Sequence, residues 1–191
     1  IILKEIGKDT VPLLRNLLRD KDDDVRKFAI DLLIEINHCD YPDDIVYLLK
    51  SDKNLNVRAS AAKALGVFKY AKAIPDLIEA LKDNEWVCFS ALEALSHFKE
   101  ESTVEAIASL LNSESETLVI HAIETLGMLG FSKAERYLIK HYPLANRIQK
   151  EAIIKSLISI GSTPELPGAT EILMDIYING DWQERLIALK G

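Results

Sequence analysis

Residues 54–66, NLNVRASAAKALG, carry the pattern that decides the fold of this chain. The leucine near the end of this stretch belongs to a column that recurs at intervals of 30, 32, 30, 31 and 31 residues. The column consists of Leu3, Leu33, Leu65, Leu95, Leu126 and Leu157. A fixed period of this size is the sequence signature of a repeat array, so the chain is one short unit written about six times.

Other positions keep a fixed distance from the column leucine. An apolar residue stands three residues after it, and in four repeats an alanine stands four residues before it: Ala29, Ala61, Ala91 and Ala122. The fifth repeat departs, with Ile153 at that offset. Offsets of −8, −4, −3, 0 and +3 share one stripe of a 3.6-residue helix. The pattern therefore predicts a helix with one buried face in every repeat.

The ends of this helix are also marked in the sequence. Four residues after the column leucine stand Gly7, Asn37, Gly130 and Gly161, which accept a left-handed backbone at low cost. Lys69 and Lys99 occupy the same place in two other repeats and depart from the rule. Turn and N-cap residues precede this helix and mark its start. They separate it from an earlier helix in the same repeat, which has a leucine column of its own: Leu18, Leu49, Leu81 and Leu111.

The sequence thus predicts an all-α fold, a right-handed α-α superhelix of about six helix-turn-helix repeats. We place the repeats at 9–38, 39–70, 71–100, 101–131, 132–162 and 163–191, with residues 1–8 as the tail of a preceding repeat. The 191 residues are therefore expected to form a single array that is an excerpt of a longer protein.

The small residues indicate the type of repeat. Residues 54–66 and residues 23–33, DDVRKFAIDLL, resemble the second helix of HEAT repeats, particularly the short bacterial type shared with phycobilin-lyase accessory proteins. The resemblance covers nearly the whole chain and is strongest over residues 9–130. It implies a HEAT-like solenoid whose second helices line a concave surface. The aromatic-glycine pattern of tetratricopeptide repeats and the Thr-Pro-Leu-His of ankyrin repeats do not occur.

Two enzyme classes that use HEAT scaffolds are disfavoured. Deoxyhypusine hydroxylase ligates iron with repeated His-Glu dipeptides, and no such dipeptide occurs here. HEAT-like DNA glycosylases bind duplex DNA on a basic face, whereas this chain has 30 acidic and 23 basic residues and a net charge of −7. The glycine-rich phosphate loop and the nucleophile elbow do not occur either. We therefore expect a protein that is not an enzyme, has no catalytic residues and does not bind nucleic acid.

Metal, cofactor and membrane binding are not expected. Cys39 and Cys88 lie in different repeats, so we expect free thiols, and the low cysteine count fits a reducing cytoplasm. The four histidines have no paired spacing, whereas a zinc site needs three or four convergent ligands. No apolar run is long enough to cross a bilayer. These observations predict a cytoplasmic protein without a metal or another cofactor.

The candidate binding surface follows from helical geometry. Positions −6, −2 and +2 relative to the column leucine lie one turn apart on the side of the second helix that faces away from the core. In repeats two to four, these offsets place large apolar groups where solvent is expected, with carboxylates between them. The predicted partner groove consists of Lys63, Val67, Phe89, Glu93, His97, Ile120, Glu124 and Met128.

Two interpretations of this groove remain open. An exposed apolar patch rimmed by charge is common at interaction sites, so the chain is expected to be a non-catalytic scaffold for a protein or peptide with apolar and basic anchors. In the other interpretation, neighbouring helices cover these side chains and they are ordinary packing. The resemblance also implies an alternative function, an accessory factor of a phycobilin-lyase-like tetrapyrrole attachment system.

Two further features are interpreted as structural. Arg26 and Arg58 stand seven residues before the column leucine, close to the buried stripe, and we expect them to bind acidic or amide groups in adjacent turns. The candidate partners are Asp22, Asp24, Asp52 and Asn56. Cys88 and Val119 occupy the equivalent places further on, so this ladder is expected to end there. For Trp86, we expect the indole to cover the core next to its turn, and the alternative is a hot spot of an interface.

Overall fold

The computed structural model describes residues 11–161 and 167–180, together with Trp182, Arg185 and Leu186. Leu3, the predicted tail at 1–8 and most of the last predicted second helix lie outside these residues. The regular structure of the described part is helical, with short 3₁₀ turns beside several helices. The helices are α1 (Val11–Leu17), α2 (Asp23–Ile36), α3 (Pro42–Ser51), α4 (Leu55–Val67), α5 (Ile74–Ala80), α6 (Glu85–Ser96), α7 (Val104–Ser109), α8 (Glu116–Leu129), α9 (Ser132–His141), α10 (Arg147–Ile160) and α11 (Pro167–Asn179).

The odd-numbered helices are the first helices of the repeats, and α2, α4, α6, α8 and α10 are the second helices that carry the leucine column. Every described member of the column is at most 1% exposed, and the alanine four residues earlier is fully buried wherever it occurs. Burial of a leucine side chain stabilises the fold by roughly 2 kcal/mol. The all-α solenoid class that the column predicts is confirmed.

Side chains at the helix ends account for where the second helices begin and stop. The side chains of Asp22, Asn54 and Asn84 accept hydrogen bonds from backbone N–H groups in the first turns of α2, α4 and α6. These bonds satisfy donors that a helix cannot pair internally. Left-handed residues follow the helices, including Asn37 at φ 51° and Gly130 at φ 73°.

The two residues that depart from the glycine rule adopt the same backbone conformation. Lys69 has φ 51° and Lys99 has φ 48°, close to the 51° of Asn37. A non-glycine residue in this region costs on the order of 1 kcal/mol. The packing of the helices on either side therefore sets the conformation of this connection even where the residue type does not favour it.

The chain forms two compact units, Ile1–Phe98 and Lys99–Gly191. In the first unit, a Cβ placed on Gly66 of α4 would lie 2.7 Å from the Cα of Ala94 on α6. In the second unit, a Cβ placed on Gly127 of α8 would lie 2.5 Å from Oγ of Ser156 on α10. Both glycines thus permit two second helices to approach more closely than any side chain would allow.

A ladder of charged side chains joins the repeats of the first unit. Arg26 donates two hydrogen bonds to the carboxylate of Asp52, at 2.7 and 2.9 Å, and a third to the carbonyl of Asp20 at 2.8 Å. Arg58 repeats this arrangement with the carboxylate of Asp83, at 2.6 and 2.8 Å, and the carbonyl of Asp52. The structural interpretation of the two arginines is thus supported by their contacts.

The partner prediction for this ladder is right for Asp52 and wrong elsewhere. Asp22 caps its own helix, and neither Asp24 nor Asn56 accepts a hydrogen bond from either arginine. The sequence interpretation missed Asp83 because each arginine takes its carboxylate from the turn of the following repeat, while its own turn supplies a backbone carbonyl. Burial is the largest single influence on the pKa of the Asp52 carboxyl and raises it. The hydrogen bonds from Arg26 and from the backbone N–H of Asn54, together with the positive charges of Arg26 and Arg58, outweigh burial and lower that pKa. For Asp83, the hydrogen bond from Arg58 is the main cause of the lowered pKa.

Buried apolar residues replace the arginine further along. Cys88 and Val119 are both buried, and burial raises the pKa of the Cys88 thiol to about 11. Near the end of the described residues, the guanidinium of Arg185 again donates to backbone carbonyls, those of Gly180 at 2.8 Å and Ile178 at 2.9 Å. An arginine in this local role thus returns in the second unit.

Candidate functional site

The two units divide the eight predicted groove residues between them. The first unit holds Lys63 and Val67 on α4, Phe89 and Glu93 on α6, and His97 directly after α6. The second unit holds Ile120, Glu124 and Met128 on α8.

A cleft in the second unit brings its three predicted residues together. It lies between α8 and α10 and has a volume of about 450 Å³. Ile120, Glu124 and Met128 line one side, one helical turn apart, as the offsets predict. The other side comes from α10, whose residues at the same offsets are Glu151, Lys155 and Ser159.

The floor of this cleft consists of small residues. Gly127, Ala152 and Ser156 line it, and Ser156 donates a hydrogen bond to the carbonyl of Ile123 at 3.0 Å. Because the two helices approach so closely at Gly127, their larger side chains diverge on either side of the contact. The close approach therefore makes the cleft shallow, with a row of larger residues on each side.

Exposed apolar side chains border the cleft. Met128 is 66% exposed and Ile148 is 63% exposed, whereas Ile120 is half-buried. Ile148 stands nine residues before the column leucine, so the offsets −6, −2 and +2 do not predict it. The same helical periodicity continued by one more turn places this residue beside Glu151 and Ala152 and would have found it.

The charges on the border are mostly acidic. Glu124 is exposed, and its carboxylate lies 3.8 Å from Nδ1 of His121. Glu151 accepts a hydrogen bond from the ammonium group of Lys155 at 2.8 Å. Two carboxylates and one ammonium group therefore line the cleft, and the Glu124 carboxylate is the more available to a ligand.

The first-unit residues differ in exposure. Lys63, Glu93 and His97 are exposed, while Val67 and Phe89 are half-buried. The imidazole of His97 lies beside α4, with Cδ2 3.3 Å from the position of a Cβ on Gly66. Packing between α4 and α6 thus covers part of the apolar surface that the offsets place in solvent.

The tryptophan in the first unit is not a cover over the core. Trp86 lies in the first turn of α6 and is 69% exposed, so that expectation is wrong. Its backbone N–H donates to the side chain of Asn84, which fixes the start of the helix. The indole itself is turned away from the core.

The described residues show no sign of metal or thiol chemistry. They contain no group of three or more histidine, cysteine or acidic residues that could hold a metal ion. Cys39 and Cys88 are free thiols, and burial raises the pKa of each, so neither is a ready nucleophile. Within the same residues, no helix has the length and apolar character needed to cross a bilayer.

The helices are paired, the leucine column is buried, the second helices are capped, and a ladder of charged side chains joins repeats. These features define an α-solenoid repeat protein. Within that class, the family model described as HEAT repeats matches residues 10–96. The resemblance drawn from residues 23–33 and 54–66 is thereby confirmed, since both stretches lie within the residues that match HEAT repeats.

Two curated relatives and two solved structures are similar to this chain. Protein YibA of Escherichia coli, in strain K12 and in O157:H7, is 31% identical over 122 residues, which cover 62% of this chain and 43% of that protein. The chain thus spans less than half the length of these relatives.

The structural similarity extends over more of the chain. The complex of CpcE and CpcF of phycocyanin lyase from Nostoc sp. PCC7120 matches with a TM-score of 0.67 and 22% identity, covering 94% of this chain and 74% of that one. An engineered protein matches with a TM-score of 0.68 and 19% identity, covering 94% and 93%. At these identities the two likenesses show the fold.

Proposed function

We propose that this chain is a non-catalytic scaffold that binds a protein or peptide partner on the exposed side of its second helices. The observation that carries the proposal is the exposed pair Met128 and Ile148 on the border of the α8–α10 cleft. Large apolar groups rimmed by charge are typical of interaction surfaces. HEAT repeats over residues 10–96 support a scaffold role for the chain.

The chemistry of the cleft favours a partner with apolar and basic anchors. An aliphatic or aromatic side chain can lie on the small-residue floor between Met128 and Ile148. A neighbouring lysine or arginine would then meet the carboxylate of Glu124. Such a pattern occurs on one face of an amphipathic helix or along an extended segment. The proposal also includes the first-unit residues Lys63, Val67, Phe89, Glu93 and His97.

The test begins with a partner captured by the intact chain and identified by mass spectrometry. Its dissociation constant is then measured by calorimetry for wild type, for Met128→Ala with Ile148→Ala, and for Glu124→Lys. We expect each variant to bind at least about tenfold more weakly, because loss of a central interface anchor costs about 2 kcal/mol or more and about 1.4 kcal/mol corresponds to tenfold in affinity.

Leu144→Ala is the matched control, because Leu144 is also exposed in the second unit but lies outside this cleft. Phe89→Ala tests the first-unit residues separately. Unchanged affinity in the double variant and in Glu124→Lys would contradict the assignment of the site.

The second candidate is an accessory factor of a phycobilin-lyase-like tetrapyrrole attachment system. Its support is the fold shared with the CpcE and CpcF complex and the matching repeat type. Incubation with linear tetrapyrroles should then shift their visible absorbance, and unchanged spectra would count against it. For either function we expect a cytoplasmic location, which rests on the cysteine usage.

A further inference from the structure

A second cleft lies in the first unit, away from the second-helix offsets. It has a volume of about 720 Å³ and is formed by the ends of α1 and α3 and by the turns that follow them. The buried side chains of Leu18 and Leu48 form its apolar base. The phenol ring of Tyr47, which is 67% exposed, stands on its wall.

Two of the three carboxylates that line this cleft are engaged by arginines, and the third, Asp20, accepts a hydrogen bond from the backbone N–H of Asp22 at 2.9 Å. Asp44 accepts hydrogen bonds from Arg15 at 2.7 Å and Arg19 at 2.9 Å. Asp52 is held by Arg26 and also accepts from the backbone N–H of Asn54. The carboxylates of Asp44 and Asp52 are therefore neutralised by the protein itself and are poor acceptors for a cationic ligand.

The basic groups are in excess. Arg19, Lys21, Arg26 and Lys53 line the cleft with three aspartates, although the whole chain carries a net charge of −7. Lys21 and Lys53 are exposed, and neither forms an ion pair with another residue in the described part of the chain. The two ammonium groups are the most available charges around the cleft.

The next repeat provides an internal comparison. The equivalent cleft between α3 and α5 has a volume of about 340 Å³. In this cleft, Lys50 occupies the position of Arg19 and Asp76 that of Asp44, and the two form an ion pair at 2.7 Å. Glu79 replaces the tyrosine and binds Lys82 at 2.8 Å.

This second version of the cleft has two basic and three acidic side chains. The larger volume, the exposed ring and the positive excess thus distinguish the cleft of the first repeat pair from that of the next pair. The repeat architecture does not explain them, because the same architecture one repeat later lacks all three.

We infer that the first-unit cleft binds an acidic peptide segment in which a carboxylate lies next to a large apolar side chain. The carboxylate meets the ammonium groups of Lys21 and Lys53, which are free to form charge-assisted hydrogen bonds. The apolar side chain packs against the ring of Tyr47 above Leu48. This site is separate from the α8–α10 cleft, and its ligand has the opposite charge.

The experiment measures binding of a fluorescently labelled peptide of alternating glutamate and phenylalanine by anisotropy. A peptide with glutamine in place of glutamate, one with lysine in place of glutamate, and inorganic phosphate serve as competitors. The variants are Lys21→Glu with Lys53→Glu, and Tyr47→Ala. The matched control, Lys72→Glu with Lys82→Glu, makes the same change in net charge on exposed residues of the same unit that do not line this cleft.

We expect wild type to bind the acidic peptide and neither substituted peptide. The Lys21 and Lys53 double reversal should weaken binding at least about tenfold, and the control less than about twofold, because screened long-range charge contributes little. Tyr47→Ala should weaken it by about threefold or more through loss of ring contact. Raising the salt concentration should lower the affinity.

Equal weakening by the double reversal and its control would overturn the inference, because binding would then follow net charge alone. Full competition by phosphate at millimolar concentration would overturn it as well, since the site would then take a small anion. The double variant Met128→Ala with Ile148→Ala should still bind the acidic peptide. That result would show that this site binds its ligand independently of the α8–α10 cleft.

Discussion

The two units solve the problem of joining one repeat to the next in different ways. In the first unit, the Arg26–Asp52 and Arg58–Asp83 pairs link successive turns, and a close helix contact at Gly66 adds to them. In the second unit, α8 carries Val119 at the arginine position, and α8 meets α10 through Gly127 and Ser156. The same helix pairing is thus compatible with a polar or an apolar link.

The difference shows that the ladder is not a requirement of the fold. The side chain of Asp52 is 3% exposed, so forming its ion pair costs desolvation energy that the hydrogen bonds must offset. A well-packed apolar residue avoids that cost, as the buried Val119 does. Loss of one ladder partner is a different matter, because it leaves the other charge desolvated and unpaired.

The largest expected effect is on the close contact of the second unit. Gly127→Ala places a Cβ 2.6 Å from Cβ of Ser156 and disturbs the hydrogen bond from that serine to Ile123. We expect a loss of about 3 kcal/mol in the free energy of unfolding, measured by urea denaturation. Adding Ser156→Gly should restore part of it by removing the opposing Cβ.

The first unit offers a matched pair of variants. Gly66→Ala should lower the free energy of unfolding by about 2 kcal/mol, and adding Ala94→Gly should restore part of that loss. Gly127→Ala as stable as wild type would show that the helices can separate without cost. The close contact could then not be what holds the second unit together.

The next effect in size concerns the ladder. Asp52→Ala leaves the guanidinium of Arg26, 15% exposed, without its carboxylate, and should cost about 2 kcal/mol of unfolding free energy. Arg58→Ala should cost about 1 kcal/mol, because Asp83 is more exposed and can be hydrated. Neither change should weaken partner binding at the α8–α10 cleft.

Lys155→Ala is the control, since the exposed Lys155–Glu151 pair should contribute less than about 0.5 kcal/mol. If the three variants have the same unfolding free energy by urea denaturation, then burial of the ladder adds nothing to its strength. The comparison between the units would then rest on helix packing alone.

The sequence predicts the fold well because helical periodicity and N-capping are local. Leu65 and Asn54 act within one or two turns of their own helices, so their roles are visible in the chain. The partner of Arg58 was missed because Asp83 lies 25 residues away in the turn of the next repeat, and sequence offset does not reveal which turn the guanidinium reaches. The exposure of a side chain is also hard to predict from sequence, because it depends on how closely the neighbouring helix packs.

The candidate sites show the same limit. The offsets correctly place Glu124 and Met128 on one side of a cleft, because both belong to a single helix face. They do not reveal how closely α8 and α10 approach, which depends on Gly127 meeting Ser156. Tyr47 was missed entirely, because its cleft is formed by first helices and turns whose spacing follows no single helical stripe.

The smallest expected effect is the pH dependence of the ladder. The pKa values of Asp52 and Asp83 are lowered from the ordinary value of 3.8, so the folded chain binds fewer protons than the unfolded chain near that pH. Their stabilisation is therefore fully present above about pH 4 and is lost as the pH falls through the lowered pKa values. The stability difference between wild type and Asp52→Ala, measured by urea denaturation, should shrink steadily below pH 3.8. The control variant Lys155→Ala should show no comparable change in stability with pH. If wild type instead stays equally more stable than Asp52→Ala in acid, the ladder prediction is wrong. Asp52 would then stabilise the turn through the hydrogen bond from the backbone N–H of Asn54 rather than through its charge.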